Sequence, residues 1–279
     1  MSKVAKRLLV FFIGLPIVMA IVYVKFLNHL PLQLVISAAS VLSANEFYNM
    51  LIKKSKLFPK PFILIGSALQ PYCAYFFILF GLPMELTLWV YVLEAIILMV
   101  ISILSKDFTD SVIKITNSLF IIFYCGFILT FISRMTILDN SRYWIALFLI
   151  LVFMCDSFAW LFGILFGKNN RGYIPASPNK SIVGFIGGIL GSIACGVLFK
   201  YFFNDVVLYS YWRVFILGFI TSIAGIIGDL IESVIKRSLE CKDSGTLIPG
   251  RGGLLDSIDS IIIAAPVYYA GLYFLFGIS

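Results

Sequence analysis

The sequence predicts an all-α integral membrane protein with about nine transmembrane helices. Of its 279 residues, 61% are hydrophobic and only 13% are charged, and the mean hydropathy is +1.03. No soluble fold has enough interior to bury that much apolar side chain. Apolar runs of roughly 20 residues, the length that crosses a bilayer core, recur along the whole chain. Because no linker or soluble segment separates them, we expect a single polytopic membrane domain over residues 1–279.

The predicted helices follow the apolar runs in chain order. They cover residues 8–24, 30–44, 61–82, 86–104, 115–132, 143–166, 182–203, 212–235 and 254–277. The first run follows basic residues but lacks an A-x-A cleavage site at its end, which favours an uncleaved span over a signal peptide. Residues 1–140 form the N-terminal helices in this scheme, and residues 141–279 form the helices that carry most of the polar motifs.

Basic residues indicate the orientation of these helices. With the N-terminus on the cytoplasmic side, 16 of the 21 Lys and Arg residues lie inside, which is the bias typical of cytoplasmic loops. This predicts a C-terminus outside and places the polar loops 167–181 and 236–253 in the cytoplasm. The same rule accounts for the net charge of +7, so we expect no nucleic-acid partner. The five cysteines contain no CxxC pair, and neither a disulfide framework nor a zinc site is indicated.

Residues 228–260 concentrate charge in an otherwise apolar chain. The acids and bases that form this cluster are Asp229, Glu232, Lys236, Arg237, Lys242, Asp243, Arg251, Asp256 and Asp259. Carboxylate oxygens bind Mg²⁺, while Lys and Arg neutralise phosphate charge. Acids, bases and glycines held this close together predict a metal–phosphate site, so we interpret the stretch as the catalytic centre.

The helix predicted over residues 212–235 carries the first part of this centre. Asp229, Glu232, Ser233 and Lys236 fall on one helical face, with Arg237 close by. A carboxylate facing lipid at the depth of Asp229 would cost about 2.5–3.5 kcal/mol. We therefore expect Asp229 to face a wet cavity, a cation or a metal. The alternative is an ion pair with a Lys on another helix that fixes packing.

The last predicted helix carries the second part. Asp256 and Asp259 are spaced by three residues near its start and share a face. The helix macrodipole alone would explain acids there. Opposed to Asp229 across a glycine-rich loop, the pair instead predicts a two-helix metal cradle. Backbone N–H groups of this loop could approach an anion closely; its glycines are Gly250, Gly252 and Gly253.

Residues 156–191 form a second polar region. Asp156 lies within an apolar span, where a carboxylate needs water or a partner. The glycines of this region favour close helix packing. Ser177, Lys180 and Ser181 precede a predicted helix start and could face a phosphate. The alternative is that Ser181 is a simple N-cap and that Lys180 only follows the positive-inside rule.

These motifs resemble those of the phosphatidate cytidylyltransferase (CDP-diacylglycerol synthase) family. The resemblance rests on the run from Ser233 to Asp259 and on an upstream motif that includes Asp156-Ser157, Ser177-Pro178-x-Lys180-Ser181 and the glycines at 184, 187 and 188. It covers about residues 145–275. The family usually has His, Arg, Thr and Glu at positions where this chain has Arg251, Ser257, Ser181 and Val183. Arg251 can supply the positive charge that is absent at Ser257.

The resemblance implies transfer of CMP from CTP to phosphatidic acid, with Mg²⁺ as cofactor and room for a second, monovalent cation. Asp229 and Asp256 would bind the metal, with Asp259 beside them. Two further sets of residues would contact the substrates. The phosphate-binding set is Lys236, Arg237, Lys242 and Arg251, and the set facing the nucleotide or the lipid headgroup is Ser177, Lys180, Ser181, Ser233, Gly252, Gly253 and Asp156. The resemblance also implies a homodimer in a bacterial cytoplasmic (inner) membrane.

Two other functions would also place acids in membrane helices. A cation- or proton-coupled transporter carries intramembrane carboxylates, but it does not need a cytoplasmic loop of Lys, Arg and Gly. A CDP-alcohol phosphotransferase uses the same nucleotide lipid, but its usual DGxxAR…GxxxDxxxD pattern is absent here. A purely structural membrane scaffold would explain the hydrophobicity without the clustered charge.

Overall fold

A computed structural model describes the backbone of residues 3–278 and the side chains of residues 12–278. The side chains of Lys3, Lys6 and Arg7, which enter the orientation count, lie outside the described residues. Within residues 3–278 the chain is helical and forms no β-sheet. Its helices are α1 (Lys3–Tyr23), α2 (Leu30–Leu51), α3 (Lys60–Leu79), α4 (Leu86–Ile103), α5 (Ser111–Ile122), α6 (Thr130–Met135), α7 (Ser141–Leu165), α8 (Ile182–Phe202), α9 (Tyr211–Ser238) and α10 (Leu255–Gly271).

Eight of the described helical segments are long and apolar enough to cross a membrane. One of them, Ser111–Met135, joins α5 and α6 through a wider π-helical turn at Phe123–Phe127, and another extends α10 to Phe276 through a similar turn. In α1, the described apolar part is Phe12–Tyr23. The prediction of an all-α, multi-pass membrane protein is confirmed. The orientation of the two termini stays a prediction.

The ends of the predicted spans lie within five residues of the observed helix ends, except at the end of α2. The apolar run predicted an end at residue 44, but the helix continues to Leu51. The extra two turns bury Phe47 and Met50, whose side chains are 1% and 4% exposed. Their burial offsets the cost of carrying polar neighbours in the helix. As a consequence Glu46 lies in the helix and is itself buried.

The chain forms two compact units, and the prediction of a single domain stays a prediction. The N-terminal unit comprises the chain up to Ile137 together with Leu239–Ser257. Inside it, helices are joined by buried hydrogen bonds: the Ser40 hydroxyl donates to the Ser67 carbonyl at 2.7 Å, and the Ser133 hydroxyl donates to Gln33 Oε1 at 2.7 Å. Most of the glycine-rich loop therefore belongs with the N-terminal helices, although the sequence grouped it with the C-terminal ones.

The C-terminal unit comprises Leu138–Ser238 and Ile258–Ser279, and the packing of α7 on α8 is its main feature. Glycines on α8 face α7 along nearly its whole length. A Cβ atom added to Gly184 would lie 2.8 Å from the Ala159 carbonyl, and one on Gly188 would lie 2.8 Å from the Cys155 carbonyl. The two backbones are thus close enough that a side chain has no room, as in other membrane helix pairs with small residues at the contact.

This packing predicts that Gly188→Ala destabilises the protein. The new methyl group would meet the rigid backbone of α7, so the helices must separate, at a cost of about 1–3 kcal/mol. Thermal unfolding in detergent, followed by intrinsic fluorescence, measures the effect. Gly14→Ala is the matched control, because a Cβ atom at Gly14 meets nothing within 4 Å. Equal melting temperatures for the two variants would contradict the close contact.

Candidate active site

Helix α9 brings two acids and two lysines together in the C-terminal unit. Lys180, which lies just before α8, forms an ion pair with Asp229. One turn later, Glu232 pairs with Lys236 across an i,i+4 spacing. The Glu232 side chain is fully buried and that of Lys236 is only 12% exposed. A buried carboxylate needs such a partner, because an unpaired charge loses its hydration without compensation.

Two more acids lie near this group. Asp259 on α10 is 7% exposed and interacts electrostatically with Asp229, Glu232 and Asp156. The Ser260 hydroxyl lies 3.3 Å from Asp156 Oδ1 and donates to it. Helices α9 and α10 approach closely beside Asp259, where a Cβ atom on Gly228 would lie 2.5 Å from the Asp259 carbonyl. Four carboxyl groups from three helices therefore gather in the C-terminal unit.

The chemistry of this donor set fits a divalent cation. Its four acids outnumber the two lysines that pair with them. All of the candidate ligands are carboxylate oxygens, which Mg²⁺ prefers. Over the described residues, no three His, Cys, Asp or Glu side chains are already arranged around a metal position. The metal role of Asp229, Asp256 and Asp259 therefore stays a prediction.

The loop before α8 lies beside Asp229 through its lysine. Ser181 is the N-cap of α8, because its hydroxyl accepts the Gly184 N–H at 3.0 Å; the capping alternative is confirmed for this residue. Ser177 lies in the preceding turn, where its carbonyl accepts the Lys180 N–H at 3.1 Å. The Arg237 guanidinium donates to the Ala176 carbonyl at 3.3 Å. The lysine pairing expected as a structural alternative for Asp229 is also observed, with the lysine in this loop.

The remaining predicted residue of this unit is Ser233. It lies on α9 next to Glu232 and is 9% exposed. Within the C-terminal unit, the structure thus brings together Asp156, Lys180, Asp229, Lys236 and Asp259 and places Ser177, Ser181, Ser233 and Arg237 on the same elements.

The glycine-rich loop, which belongs to the N-terminal unit, is built around a tight turn. Ile248 and Gly252 exchange both backbone hydrogen bonds, at 2.7 and 3.1 Å, and this places Arg251 within the turn. Gly250 and Gly252 have φ angles of 84° and 115°, in the region that side chains other than glycine rarely adopt. The turn therefore requires these two glycines. Lys242 is exposed on the approach to the turn.

Asp256 holds this loop from the first turn of α10. Its Oδ2 atom accepts the Ser244 N–H at 2.8 Å, the Gly253 N–H at 2.7 Å and the Ser244 hydroxyl at 2.9 Å. The N–H groups of Gly252 and Gly253 are thus bonded within the chain. Their predicted contact with a substrate phosphate stays a prediction, and it would require these bonds to be exchanged.

Glu46 is the residue of this region that the motifs do not reveal. Its carboxylate accepts the N–H groups of Leu254 and Leu255 and the hydroxyl of Ser244, each at 2.9 Å. It does so from α2, about 200 residues away in sequence. The available signal was an acid directly after an apolar run, which is costly in a membrane helix unless it has a role.

Comparisons with known proteins agree with the motifs. A model of the cytidylyltransferase family matches residues 5–275. A protein named phosphatidate cytidylyltransferase from Staphylococcus epidermidis is 32% identical over 200 residues, which covers 68% of this chain and 74% of that protein. Proteins of the same name from Staphylococcus haemolyticus and Chlamydia muridarum are 40% and 38% identical over 129 and 133 residues. Those two alignments cover 46% of this chain and 48% and 42% of the relatives, so they span about half of each protein.

Proposed function

The chain belongs to the cytidylyltransferase family, and we propose that it is a phosphatidate cytidylyltransferase. It would transfer CMP from CTP to phosphatidic acid and give CDP-diacylglycerol and pyrophosphate, a step of phospholipid biosynthesis. The observation that carries this proposal is the group of four acids and two lysines in the C-terminal unit, which lies within the part of the chain that resembles this family.

The reaction needs little covalent chemistry from the protein. An oxygen of the phosphatidic acid phosphate attacks the α-phosphorus of CTP and forms a new P–O bond. The bond from the α-phosphorus to the bridging oxygen breaks, and pyrophosphate leaves with that electron pair. Because the attacking oxygen is already anionic at neutral pH, no Ser, Cys or His nucleophile is required. Catalysis then depends on positioning and on neutralising phosphate charge.

The lysines and arginines supply that neutralisation. Lys180 and Lys236 are oriented by their ion pairs with Asp229 and Glu232. In the proposed complex, phosphate oxygens accept from these amines and from Arg237, while Lys242 and Arg251 contribute charge from the glycine-rich loop. Ser177 and Ser181 would contact the nucleotide or the lipid headgroup. Pairing with acids keeps the amines fixed, so less ordering is needed when the substrate binds.

We propose a Mg²⁺ ion as cofactor, held by Asp229 and Asp256 with Asp259 beside them. When bound, Mg²⁺ supplies positive charge to the phosphate oxygens of CTP. The three carboxylates would supply its oxygen ligands, and Asp259, which is 7% exposed, would supply the most buried of them. Asp156, which accepts a hydrogen bond from the Ser260 hydroxyl, would lie beside the bound substrates.

The protein is a multi-pass membrane protein with bacterial relatives, and we place it in the bacterial cytoplasmic membrane. CTP would enter from the cytoplasm, and phosphatidic acid would enter sideways between helices from the lipid. A homodimer, which the resemblance implies, is tested by chemical crosslinking in native membranes.

The proposed reaction is tested with purified protein in detergent, phosphatidic acid, Mg²⁺ and CTP labelled at either the α- or the γ-phosphate. We expect the α-label in the lipid phase and the γ-label in water-soluble pyrophosphate, with neither product when phosphatidic acid or Mg²⁺ is omitted. Folded protein that gives no lipid label would contradict the proposal. Entry of the γ-label into lipid would indicate a kinase instead, and ion transport without CTP would support a transporter.

A further inference from the structure

The carboxylate of Glu46 is bonded to the start of α10 within the N-terminal unit. Glu46 Oε1 accepts the Leu254 N–H, and Oε2 accepts the Leu255 N–H, both at 2.9 Å. The first N–H groups of a helix have no partner inside the helix, and the helix dipole favours a negative charge beside them. Glu46 satisfies both requirements from another helix. Its side chain is only 7% exposed, so these bonds compete little with water.

The surrounding glycines leave space for this carboxylate. A Cβ atom on Gly245 would lie 2.7 Å from Glu46 Oε1. One on Gly253 would overlap both the Glu46 carboxylate and the Ser244 hydroxyl. The close approach of the Glu46 carboxylate therefore depends on glycine at both positions, because a side chain at either one would occupy its place.

Glu46 and Asp256 also meet on one hydroxyl group. Ser244 Oγ lies 2.9 Å from Glu46 Oε2 and 2.9 Å from Asp256 Oδ2. A serine hydroxyl has a single proton to donate, so the two carboxylates share it. If the Asp256 carboxylate turns toward a cation, the Ser244 hydroxyl can donate its hydrogen bond to Glu46 alone. Ser244 then still has a charged acceptor.

From these contacts we propose that Glu46 is a positioning residue for the proposed reaction. It holds the start of α10 and the glycine-rich loop in place, and it sets the orientation of the Asp256 carboxylate through Ser244. The inference rests on the proposed function, because the role of Asp256 as a metal ligand is assigned there. Glu46 itself contacts neither CTP nor lipid in this assignment.

The test compares Glu46→Gln with Ser244→Ala. Gln has the same size, but its NH₂ group cannot accept, so at least one of the three bonds is lost. Ser244→Ala leaves the bonds from Leu254 and Leu255 to Glu46 in place and removes only the shared hydroxyl. Glu240→Gln is the matched control: Glu240 is 75% exposed and pairs with Lys54, which lowers the pKa of its carboxyl by hydrogen bonding.

The first measurement is amide hydrogen exchange over residues 250–256 in purified protein without substrates. We expect Glu46→Gln to speed exchange there about tenfold or more, because a charge-assisted acceptor is lost, while the control leaves it unchanged. Unchanged exchange in Glu46→Gln would overturn the proposal. This measurement does not depend on catalysis, so it stands even if the wild-type protein lacks the proposed activity.

The second measurement is the Mg²⁺ concentration that gives half-maximal cytidylyl transfer. We expect both variants to raise it about tenfold, because both alter the orientation of Asp256. For Ser244→Ala, which leaves the bonds from Leu254 and Leu255 to Glu46 in place, the KM for phosphatidic acid should stay within about twofold. A lower melting temperature with an unchanged Mg²⁺ requirement would reduce Glu46 to a structural role and overturn the positioning claim. Should Glu46→Gln fail to fold, Ser244→Ala still tests the step on which the proposal depends, the orientation of Asp256 through the Ser244 hydroxyl.

Discussion

Asp229→Asn is expected to lower the turnover number for CDP-diacylglycerol formation about a hundredfold or more. Removing one preorganised electrostatic group from a site of this kind typically costs that much. Asp229 forms an ion pair with Lys180 and interacts electrostatically with buried Asp259. Its loss would therefore remove a proposed metal ligand and also release a lysine assigned to phosphate binding. Initial rates of α-label transfer from CTP to lipid at saturating Mg²⁺ measure the effect.

A double variant separates the two roles of Asp229. If Asp229 only neutralised and oriented Lys180, then Asp229→Asn would lower the turnover number no further in a Lys180→Gln background, because the amine that it holds is already absent. For a metal ligand, Asp229→Asn lowers the turnover number further in that background as well. Near-normal turnover of Asp229→Asn at saturating Mg²⁺ would show that the metal assignment is wrong. Glu240→Gln, which changes an exposed acid outside the proposed site, is expected to retain wild-type turnover.

Hydropathy alone was sufficient to predict the helices, because each span must present apolar side chains to lipid over a fixed thickness. The last span, predicted over residues 254–277, corresponds to Leu255–Phe276. The end of α2 was missed because Phe47 and Met50 bury their side chains against the protein, and a run of polar neighbours hides that signal. Hydropathy measures affinity for lipid and does not detect a helix turn that is buried by protein.

The sequence also indicated which residues carry charge near α9, but it indicated only one of their two ion pairs. Glu232 and Lys236 are four residues apart, so their pairing follows from helix geometry. Lys180 and Asp229 lie 49 residues apart on different elements, and no local pattern specifies that ion pair. The sequence therefore left two interpretations of Asp229 open, a metal ligand or a residue paired with lysine.

In the glycine-rich loop, too, local sequence does not specify the partners of the polar groups. Its composition predicted N–H groups available to an anion, and the structure does place carboxylates against them. One acceptor is Asp256, three residues from Gly253, and the other is Glu46, more than 200 residues away from Leu254. A loop pattern indicates that an anion can be bound, but it does not indicate whether the anion is a substrate phosphate or a side chain of the same chain.

Asp256→Asn separates the two roles of the Asp256 side chain, which are to hold the glycine-rich loop by hydrogen bonds and, as proposed, to bind Mg²⁺ by its charge. Asn retains a carbonyl oxygen that can accept the Ser244 and Gly253 N–H groups now bonded to Oδ2, so the loop should remain in place. The negative charge proposed to bind Mg²⁺ is lost. We expect turnover to fall about a hundredfold or more, with a melting temperature close to that of the wild type.

Asp256→Ala removes the acceptor as well as the charge. It leaves the N–H groups of Ser244 and Gly253 without their partner, so the melting temperature should fall together with the activity, at a cost of about 1–3 kcal/mol. Fluorescence-detected unfolding and α-label transfer, measured on the same preparations, compare the two variants. If Asp256→Asn kept its turnover while Asp256→Ala lost stability, then Asp256 would serve only to hold the loop, and the metal would have to be bound by the acids of the C-terminal unit.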